Sequence, residues 1–463
     1  MELGGLFGYN HEGGDSHLFL RWLSQRELLN KDFIMSPVRN SIIRQHSTKG
    51  KISNGMRRRE FLKAAAGTIL LPISTWAKEI PQDLHITRIV GFDLVSERPK
   101  LVGKNSRLGV HGKRAADRMV RLFTNTEVEG IGNCRAGKKE LAELLGKNPF
   151  DFYKGANRRM TGPLGAGTMP LWDLIGKILK KPVYKLLAPP LQGAGLGRAD
   201  PKRVPVYDGS IYFSDLLPEY RDKPLDRFKE EIDMGMAVGH RAFKVKIGRG
   251  AKWMPPEEGY ARDVEVLKTI RQHAGPKVLI GVDANNGYDL AKTKRLLEEL
   301  PDYNFAFLEE MFPEEIKKCL ELKRFIRQHR WKTLVADGET QKKLDAYKPF
   351  IKARAIDIFQ GDMNRFGFEG ILTEAAWCKP QGLKVAPHNW GSLVGYYMQL
   401  HVGRAITNFY RAEHDPLSNT VLIAEGYKIL DGRSSVPDAP GFGLKIDEDK
   451  FAAGVRVNFD IKL

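Results

Sequence analysis

The strongest constraint on the fold is a series of short apolar segments that recur through the C-terminal half of the chain. Each segment is rich in β-branched or aromatic residues and is followed by a loop and a stretch of helical length. The segments are 204–207, 242–247, 278–282, 305–308, 333–336, 355–359, 383–386 and 407–410. Strands that alternate with helices form parallel sheets, and eight such strands close a barrel. The sequence therefore predicts an α/β barrel over residues 201–417.

A charged side chain or a histidine stands at the C-terminal end of nearly every predicted strand. These residues are Lys244, Lys246, Asp283, Glu309, Glu339, Asp362, His388 and Glu413. From the third strand onward they follow one another at intervals of 23 to 30 residues, about one β/α unit each. Barrel enzymes build their active sites at this end of the strands. We therefore predict that these side chains surround one cavity.

Three of the carboxylates stand on consecutive strands and predict a metal site. Asp283, Glu309 and Glu339 offer the hard oxygen ligands that Mg²⁺ prefers. Any one of them alone would be read as a salt-bridged barrel residue, whereas the three together predict one Mg²⁺ per active site. Glu310 and Asp337 are adjacent alternatives, but alternation along a strand would point them away from the barrel mouth.

Lysine and histidine side chains flank this predicted metal site. Lys244 and Lys246 are two residues apart and therefore share one face of their strand, where two inward ammonium groups would be costly without a function. They would lower each other's pKa, so that one lysine could serve as a base; two outward surface lysines are the alternative. Asp362 could accept the ring N–H of His388 and raise its basicity. Glu413 could bind a substrate oxygen or be a buried structural acid.

The N-terminal half predicts a smaller α+β domain over residues 78–200. Segments 86–94 and 119–134 read as strands, and the apolar spacing after residue 165 predicts a core helix that ends before Pro182. A Gly-rich stretch at 192–197 places the domain boundary near Asp200. Before this domain, three arginines and a short apolar run over 57–77 resemble a twin-arginine export signal, with an amphipathic helix as the alternative.

We therefore expect a signal peptide over 56–77, a periplasmic enzyme without stable membrane insertion after cleavage, and residues 1–55 to be untranslated or disordered. The charge is +18, from 74 basic and 56 acidic residues. Because the basic residues are dispersed and no nucleic-acid-binding motif accompanies them, we predict acidic small molecules rather than nucleic acid as partners. The three cysteines lack the spacing of a zinc site or a disulfide framework.

The order and spacing of the motifs resemble the enolase superfamily, and within it the mandelate racemase subgroup, over about residues 84–463. The motifs are Lys244-Val-Lys246, Val282-Asp283-Ala284-Asn285, Leu308-Glu309-Glu310, Asp337-Gly338-Glu339, Gln360-Gly361-Asp362, Pro387-His388, Glu413, Leu171-Trp172-Asp173-Leu174 and the tail 437–443. An acidic residue at 362, where the muconate-lactonizing subgroup has a lysine, argues against the cycloisomerase and dipeptide-epimerase branches. Gly361 stands where proline is common in this family.

This resemblance implies a modified TIM barrel, (β/α)7β, capped by the N-terminal domain and by a C-terminal segment, residues 418–463, that returns to the cap. It implies that Asp283, Glu309 and Glu339 bind Mg²⁺, that Lys246 is one acid/base, and that the pair His388–Asp362 is the other. Lys244 would neutralise the substrate carboxylate and Glu413 would hydrogen-bond it. We expect Asn285, Arg107, His111 and Arg158 to bind substrate, and the chain to form a homo-oligomer.

The implied chemistry is Mg²⁺-dependent removal of the proton α to a carboxylate. Dehydration of an acid sugar, an aldonate or aldarate, to a 2-keto-3-deoxy acid is our preferred prediction, because basic cap residues would suit a polar anion; plain surface charge is the alternative explanation of those residues. These basic residues are Lys104, Arg107, His111, Arg158 and Arg159. Racemisation or epimerisation uses the same catalytic ring and stays open, as does a sugar-acid binding protein without turnover.

Overall fold

The structure is a computed structural model that describes residues 83–155, 158–187 and 202–463. The expected segments 1–55 and 56–77, and the expected domain boundary near residue 200, lie outside the described residues. No helix within the described ranges is both long enough and apolar enough to cross a membrane.

The N-terminal part forms a four-stranded antiparallel sheet with helices packed on one face. The strand order is β18 (Val457–Lys462), β1 (Ile86–Val102), β2 (Gly112–Thr124) and β3 (Glu129–Asn133), so the last strand of the chain lies beside the first. Helix α2 lies close over β3, where a Cβ atom at Gly130 would fall 2.2 Å from the carbonyl oxygen of Pro170. The elements are β1 (Ile86–Val102), β2 (Gly112–Thr124), β3 (Glu129–Asn133), α1 (Lys138–Ala142), β4 (Tyr153–Lys154), β5 (Arg159–Met160), α2 (Met169–Ile178) and α3 (Val183–Leu187).

Eight parallel strands and seven intervening helices form the barrel. The elements are β6 (Arg203–Ile211), α4 (Asp226–Val238), β7 (Ala242–Lys246), α5 (Pro256–Ala274), β8 (Leu279–Asp283), α6 (Leu290–Glu299), β9 (Phe307–Glu309), α7 (Ile316–Gln328), β10 (Leu334–Asp337), α8 (Tyr347–Ala353), β11 (Ile358–Phe359), α9 (Met363–Cys378), β12 (Lys384–Val385), α10 (Leu393–Ala405) and β13 (Ala412–His414). Pairing of β13 with β6 closes the barrel. The predicted (β/α)7β barrel with an N-terminal α+β cap is confirmed.

The eighth strand lies later in the chain than predicted. Residues 407–410 are not a strand, and Phe409 makes one isolated bridge to Val385 before β13 begins at Ala412. The side chain of Asn408 donates to the carbonyl oxygens of Ala375 and Leu383, which holds this segment as a loop. Phe409 is buried in the core, so its segment shows the apolar pattern of a strand. It nevertheless forms an isolated bridge and not a continuous ladder of strand pairs among the described residues.

The C-terminal segment connects the barrel and the cap. Its elements are β14 (Leu422–Ile423), β15 (Ile429–Leu430), β16 (Arg433–Ser435), β17 (Lys445–Ile446), α11 (Glu448–Gly454) and β18 (Val457–Lys462). Strand β16 pairs with β6 of the barrel, and β18 pairs with β1 of the cap. The buried carboxylate of Asp173 accepts the backbone N–H groups of Ile131 and Phe442, both at 2.9 Å. Two motifs outside the predicted ring, 171–174 and 437–443, therefore meet at one carboxylate.

Side chains of the cap fix it over the C-terminal ends of the barrel strands. Asp117 of β2 accepts the N–H groups of Leu393 and Val394 at 3.0 and 3.2 Å, at the N-terminus of α10. The hydroxyl of Ser106, in the loop between β1 and β2, donates to the carbonyl of Ala284 at 2.6 Å. Because Ala284 directly follows β8, this loop lies at the barrel mouth and brings the residues that precede β2 toward the predicted ring.

Candidate active site

The register of the barrel strands sets three of the predicted ring residues at one level. Lys246 is paired with Asp283, and Asp283 is paired with Glu309, across β7, β8 and β9. Successive strands of a parallel barrel end at the same rim, so side chains at these positions point into the same mouth. The structure brings the predicted ring together because its residues lie near or just beyond the C-terminal ends of the barrel strands.

The carboxylates of Asp283, Glu309 and Glu339 form the candidate metal centre. One oxygen atom from each lies within 4.8 Å of the others. Asp283 and Glu309 are fully buried, and the Oε2 atom of Glu339 is buried without a hydrogen bond. Three converging carboxylates with an unsatisfied oxygen match the hard, oxygen-rich set that Mg²⁺ requires, with water and substrate oxygens completing its coordination. These residues therefore fit a magnesium ion.

The two adjacent acids, Glu310 and Asp337, make other contacts. The Oε2 atom of Glu310 accepts the side-chain N–H of Asn285 at 2.9 Å, and Asp337 is hydrogen-bonded to Glu314. Burial, reinforced by the nearby Glu339 and Asp283, raises the pKa of Glu310 to about 8. Burial and the adjacent Glu314 likewise raise the pKa of Asp337 well above its ordinary value. The structure thus separates these two acids from the three-carboxylate cluster.

Both lysines of β7 point into the barrel and contact the carboxylates. The Nζ atom of Lys244 lies 2.7 Å from Glu309, 2.7 Å from Glu413 and 3.1 Å from Asp283. Lys246 forms an ion pair with Asp283. Burial alone would lower the pKa of Lys244, but the surrounding carboxylates raise it well above its ordinary value. The expectation that the lysines depress each other's pKa is therefore wrong for Lys244, because the carboxylates around it come from other strands.

His388 and Asp362 form a hydrogen-bonded pair across the ends of β11 and β12. Their backbones make an isolated parallel bridge, and the Nδ1 atom of His388 lies 2.7 Å from the Oδ2 atom of Asp362. Burial would lower the pKa of His388, but Glu339, Asp362 and Glu413 together raise it to about 10. With Nδ1 bound to Asp362, the Nε2 atom faces the metal centre and lies 3.3 Å from Glu339.

Glu413 is buried beside Lys244, and its Oε2 atom lies 4.0 Å from the Nε2 atom of His388. Its Oε2 atom accepts the backbone N–H of Asn389 at 2.8 Å, and its Oε1 atom pairs with Lys244. Burial raises the pKa of Glu413, but Lys244 and His388 outweigh this effect and lower it below its ordinary value. Glu413 is therefore ionised, and its predicted hydrogen bond to a substrate carboxylate stays a prediction.

The residues expected to bind substrate are distributed unevenly around the ring. His111 packs against Tyr212 and Trp390 at the barrel mouth, whereas the guanidinium of Arg158 donates to the carbonyl of Lys185 at 3.2 Å. Arg158 has a positive φ and lies between β4 and β5. Arg107 is exposed on the loop between β1 and β2, and Asn285 contacts Glu310 and Asp283.

Two contributions to the site were not predicted from the sequence. The side-chain amide of Gln360 donates to the Oε2 atom of Glu309 at 2.6 Å. The sequence feature that could have identified Gln360 is its position at the end of β11, two residues before Asp362. The rings of Tyr212 and Trp390 stack with their centroids 4.7 Å apart. Tyr212 directly follows β6 and Trp390 lies in the loop after β12, but aromatic residues near strand ends were not treated as candidates.

Comparison with known proteins agrees with this geometry. Residues 227–450 match the family model described as enolase C-terminal domain-like. The chain is 29% identical to an arabinonate dehydratase of Saccharolobus solfataricus over 320 residues, covering 68% of this chain and 78% of the relative. The structure resembles a galacturonate dehydratase of Geobacillus sp., with a TM-score of 0.72, 31% identity, and coverage of 81% of this chain and 97% of that one.

A further solved structure contains magnesium. It is a mandelate racemase/muconate lactonizing protein of Geobacillus sp. in complex with magnesium and tartrate, with 32% identity, a TM-score of 0.72, and coverage of 81% of this chain and 96% of that one. Magnesium is thus the metal in a homologous structure, and the three converging carboxylates provide suitable ligands for it here. With this level of identity over nearly the whole of the solved relatives, the chain belongs to the enolase superfamily.

Proposed function

We propose that this protein is a sugar-acid dehydratase that converts an aldonate, uronate or aldarate into its keto-deoxy product by loss of water. The observation that carries the proposal is the placement of Lys246 and His388 at two sides of one carboxylate cluster. Lys246 contacts Asp283 and the Nε2 atom of His388 faces Glu339. A base and an acid placed in this way can act on neighbouring carbons of one substrate. The dehydratases among its relatives support this choice.

Each catalytic side chain has a specific task in this proposal. Lys246 first removes the proton α to the substrate carboxylate, and the electron pair left behind then forms a carbon–carbon double bond as the β-hydroxyl leaves. The Nε2 atom of His388 donates the proton that makes this hydroxyl leave as water. The resulting enol then becomes the 2-keto-3-deoxy acid. Lys244, held by Glu309 and Glu413, adds fixed positive charge beside the carboxylate.

Asp283, Glu309 and Glu339 would hold the magnesium ion. When bound, Mg²⁺ supplies positive charge that binds the substrate carboxylate and stabilises negative charge developing next to it. Gln360 and Lys244 keep the carboxylate of Glu309 oriented, since each donates to one of its oxygens, at 2.6 and 2.7 Å. Asp362 keeps the Nδ1 atom of His388 engaged, so that Nε2 is the atom directed at the substrate.

The test is to incubate the chain from residue 78 onward with Mg²⁺ in D₂O and a panel of aldonic, uronic and aldaric acids. Deuterium uptake at the α carbon is followed by NMR, and keto product is followed as its semicarbazone. Keto product from one acid supports dehydration. Deuterium exchange without keto product moves the function to a racemase or epimerase. Tight binding without exchange or product would instead indicate a binding protein.

We also propose three finer assignments. The pair His388–Asp362 supports membership of the mandelate racemase subgroup, and the resemblance supports a homo-oligomer, which light scattering of the purified chain tests. The twin-arginine-like segment at 58–63 supports export to the periplasm. Fusion of residues 56–77 to a reporter that functions only after export tests this, with Arg58→Lys together with Arg59→Lys as the control that should abolish it.

A further inference from the structure

Three aromatic rings from separate parts of the chain line the barrel mouth beside Lys246. We name His111, Tyr212 and Trp390 the aromatic wall. The ring centroids of His111 and Tyr212 are 4.7 Å apart, and those of His111 and Trp390 are 5.8 Å apart. The Nζ atom of Lys246 lies 5.1 Å from the centroid of the Tyr212 ring. The aromatic wall is therefore next to the proposed base.

A hydrogen bond fixes the protonation of His111. The Nε1 atom of Trp390 lies 3.1 Å from the Nδ1 atom of His111, and an indole N–H can only donate. Nδ1 must therefore accept, and the single ring proton resides on Nε2. Burial, together with the positive charges of Lys246 and Arg98, lowers the pKa of His111 to about 4, so the ring is neutral near pH 7.

The Nε2 atom of His111 is a buried donor without a partner among the described residues. An unsatisfied buried N–H destabilises a protein, because the group has lost its hydrogen bonds to water. A ligand oxygen at the barrel mouth would remove that cost. Aromatic ring faces also suit the C–H groups of a carbon chain that bears hydroxyls. The aromatic wall thus offers the Nε2–H of His111 as a directed hydrogen-bond donor, beside the phenol of Tyr212.

The cations that contact the aromatic wall are already engaged. Arg98 lies over Trp390, 4.7 Å from the ring centroid, but its guanidinium makes two hydrogen bonds to Asp415, at 2.6 and 2.7 Å. Lys246 pairs with Asp283 and is the proposed base. A second carboxylate placed against this wall would meet a neutral histidine and two occupied cations. Its desolvation would therefore be poorly compensated.

We propose that His111 is a specificity-determining residue that donates a hydrogen bond from Nε2–H to an uncharged hydroxyl oxygen, so that the substrate is a monocarboxylic sugar acid rather than a dicarboxylic aldarate. This inference rests on the proposed function, which it makes more specific. The cap loop that carries His111 would thus recognise the substrate through the fixed tautomer of the imidazole rather than through charge.

Binding measurements test the substrate class. Titration calorimetry with Mg²⁺ would compare D-galactonate with galactarate and D-gluconate with glucarate, on a His388→Asn background that slows product formation and leaves the aromatic wall intact. We expect at least one monoacid to bind about tenfold or more tighter than its matched diacid. His111→Leu should weaken that binding by about 10- to 100-fold, and His111→Gln, which keeps a donor, should restore most of it. Lys113→Ala, at an exposed position on β2, is the matched control and should have no effect.

Equal or tighter binding of the diacids, or a His111→Leu variant that binds like the parent, would overturn the inference. The tautomer is measured separately by NMR of ¹⁵N-histidine-labelled protein, with His111→Gln used for assignment. A proton on Nδ1, or on both nitrogens, at pH 7 would also overturn it, while turnover of any acid would leave the proposed function standing. Absence of binding, exchange and product for every acid would overturn the proposed function and this inference together.

Discussion

The Nδ1 atom of His388 lies 2.7 Å from the Oδ2 atom of Asp362, and the other carboxylate oxygen of Asp362 accepts the backbone N–H of Arg365 at 2.7 Å as the N-cap of helix α9. One side chain therefore both orients the imidazole and begins the helix that follows β11. Burial would raise the pKa of Asp362, but the hydrogen bond from His388 and that from Arg365 lower it below its ordinary value. The carboxylate stays ionised and holds the ring with Nε2 toward the metal centre.

Substitution Asp362→Asn should lower kcat by about 10²- to 10⁴-fold while KM changes little. Asparagine is as good an N-cap as aspartate, so the helix is retained, but its amide can donate to Nδ1 and shift the ring proton to Nε2 without the charge that stabilises imidazolium. Steady-state kinetics with the acid identified in the panel measure the loss. The thermal unfolding midpoint should stay near that of the parent. An unchanged kcat would mean that Asp362 acts only as a helix cap.

Removing each of the two acid/base residues should separate proton abstraction from loss of water. With His388→Asn, Lys246 is intact, so α-deuterium exchange in D₂O should continue while keto product falls by about 100-fold or more. With Lys246→Ala, both exchange and product should disappear. NMR of the recovered acid and the semicarbazone assay measure the two steps. Exchange that persists in Lys246→Ala would assign the abstraction to another base.

Replacing a cluster carboxylate should weaken magnesium binding, whereas replacing its buried neighbour should not. Glu339→Gln removes a charged oxygen from the three-carboxylate cluster, so we expect Mg²⁺ affinity to fall by about tenfold or more by titration calorimetry. Asp337→Asn is the matched control, since Asp337 is buried two residues away and bonded to Glu314. Equal losses for both variants would show that the whole buried acidic region, rather than the cluster, sets the affinity.

Spacing along the chain predicted the catalytic ring because the ring lies at the ends of regular strands. The two-residue step between Lys244 and Lys246 placed both side chains on one face of their strand, and the interval between Asp362 and His388 placed them on neighbouring strands, where the structure pairs them. Each of these inferences needs only strand alternation and the repeat of the β/α unit. Both are local properties that a single sequence displays.

Contacts that depend on loops and on non-neighbouring strands could not be predicted from the spacing of residues along the chain. The ion pair of Lys244 with Glu413 joins the second strand to the eighth, and this reverses the expected direction of the Lys244 pKa. His111 and Arg158 are both basic cap residues, yet one packs at the barrel mouth and the other donates to the carbonyl of Lys185. The direction of a loop is set by tertiary contacts such as that of Ser106 with Ala284.

The buried acid Glu374 gives a prediction about stability and pH. It lies on α9 with no exposed surface, its Oε1 atom lies 3.4 Å from the backbone nitrogen of Gly361, and burial raises its pKa to about 8. A Cβ atom at Gly361 would fall 2.2 Å from its Oε2 atom, so glycine at this position leaves room for the carboxyl group. The acid is therefore neutral in the folded protein near pH 7 and ionised in the unfolded chain.

Because the folded-state pKa lies above that of the unfolded chain, the folded protein binds more protons between about pH 4.5 and 8. The free energy of unfolding contributed by Glu374 should therefore fall as pH rises through this window, by a few kcal/mol at most, and level off above about pH 8. Glu374→Gln is neutral throughout, so its stability relative to the parent should improve between pH 5 and pH 8. Urea unfolding midpoints at these two pH values measure the difference, with Glu298→Gln at an exposed position of α6 as the control. A parent-to-variant difference that does not change with pH would mean that the carboxyl of Glu374 ionises as freely in the folded protein as in the unfolded chain.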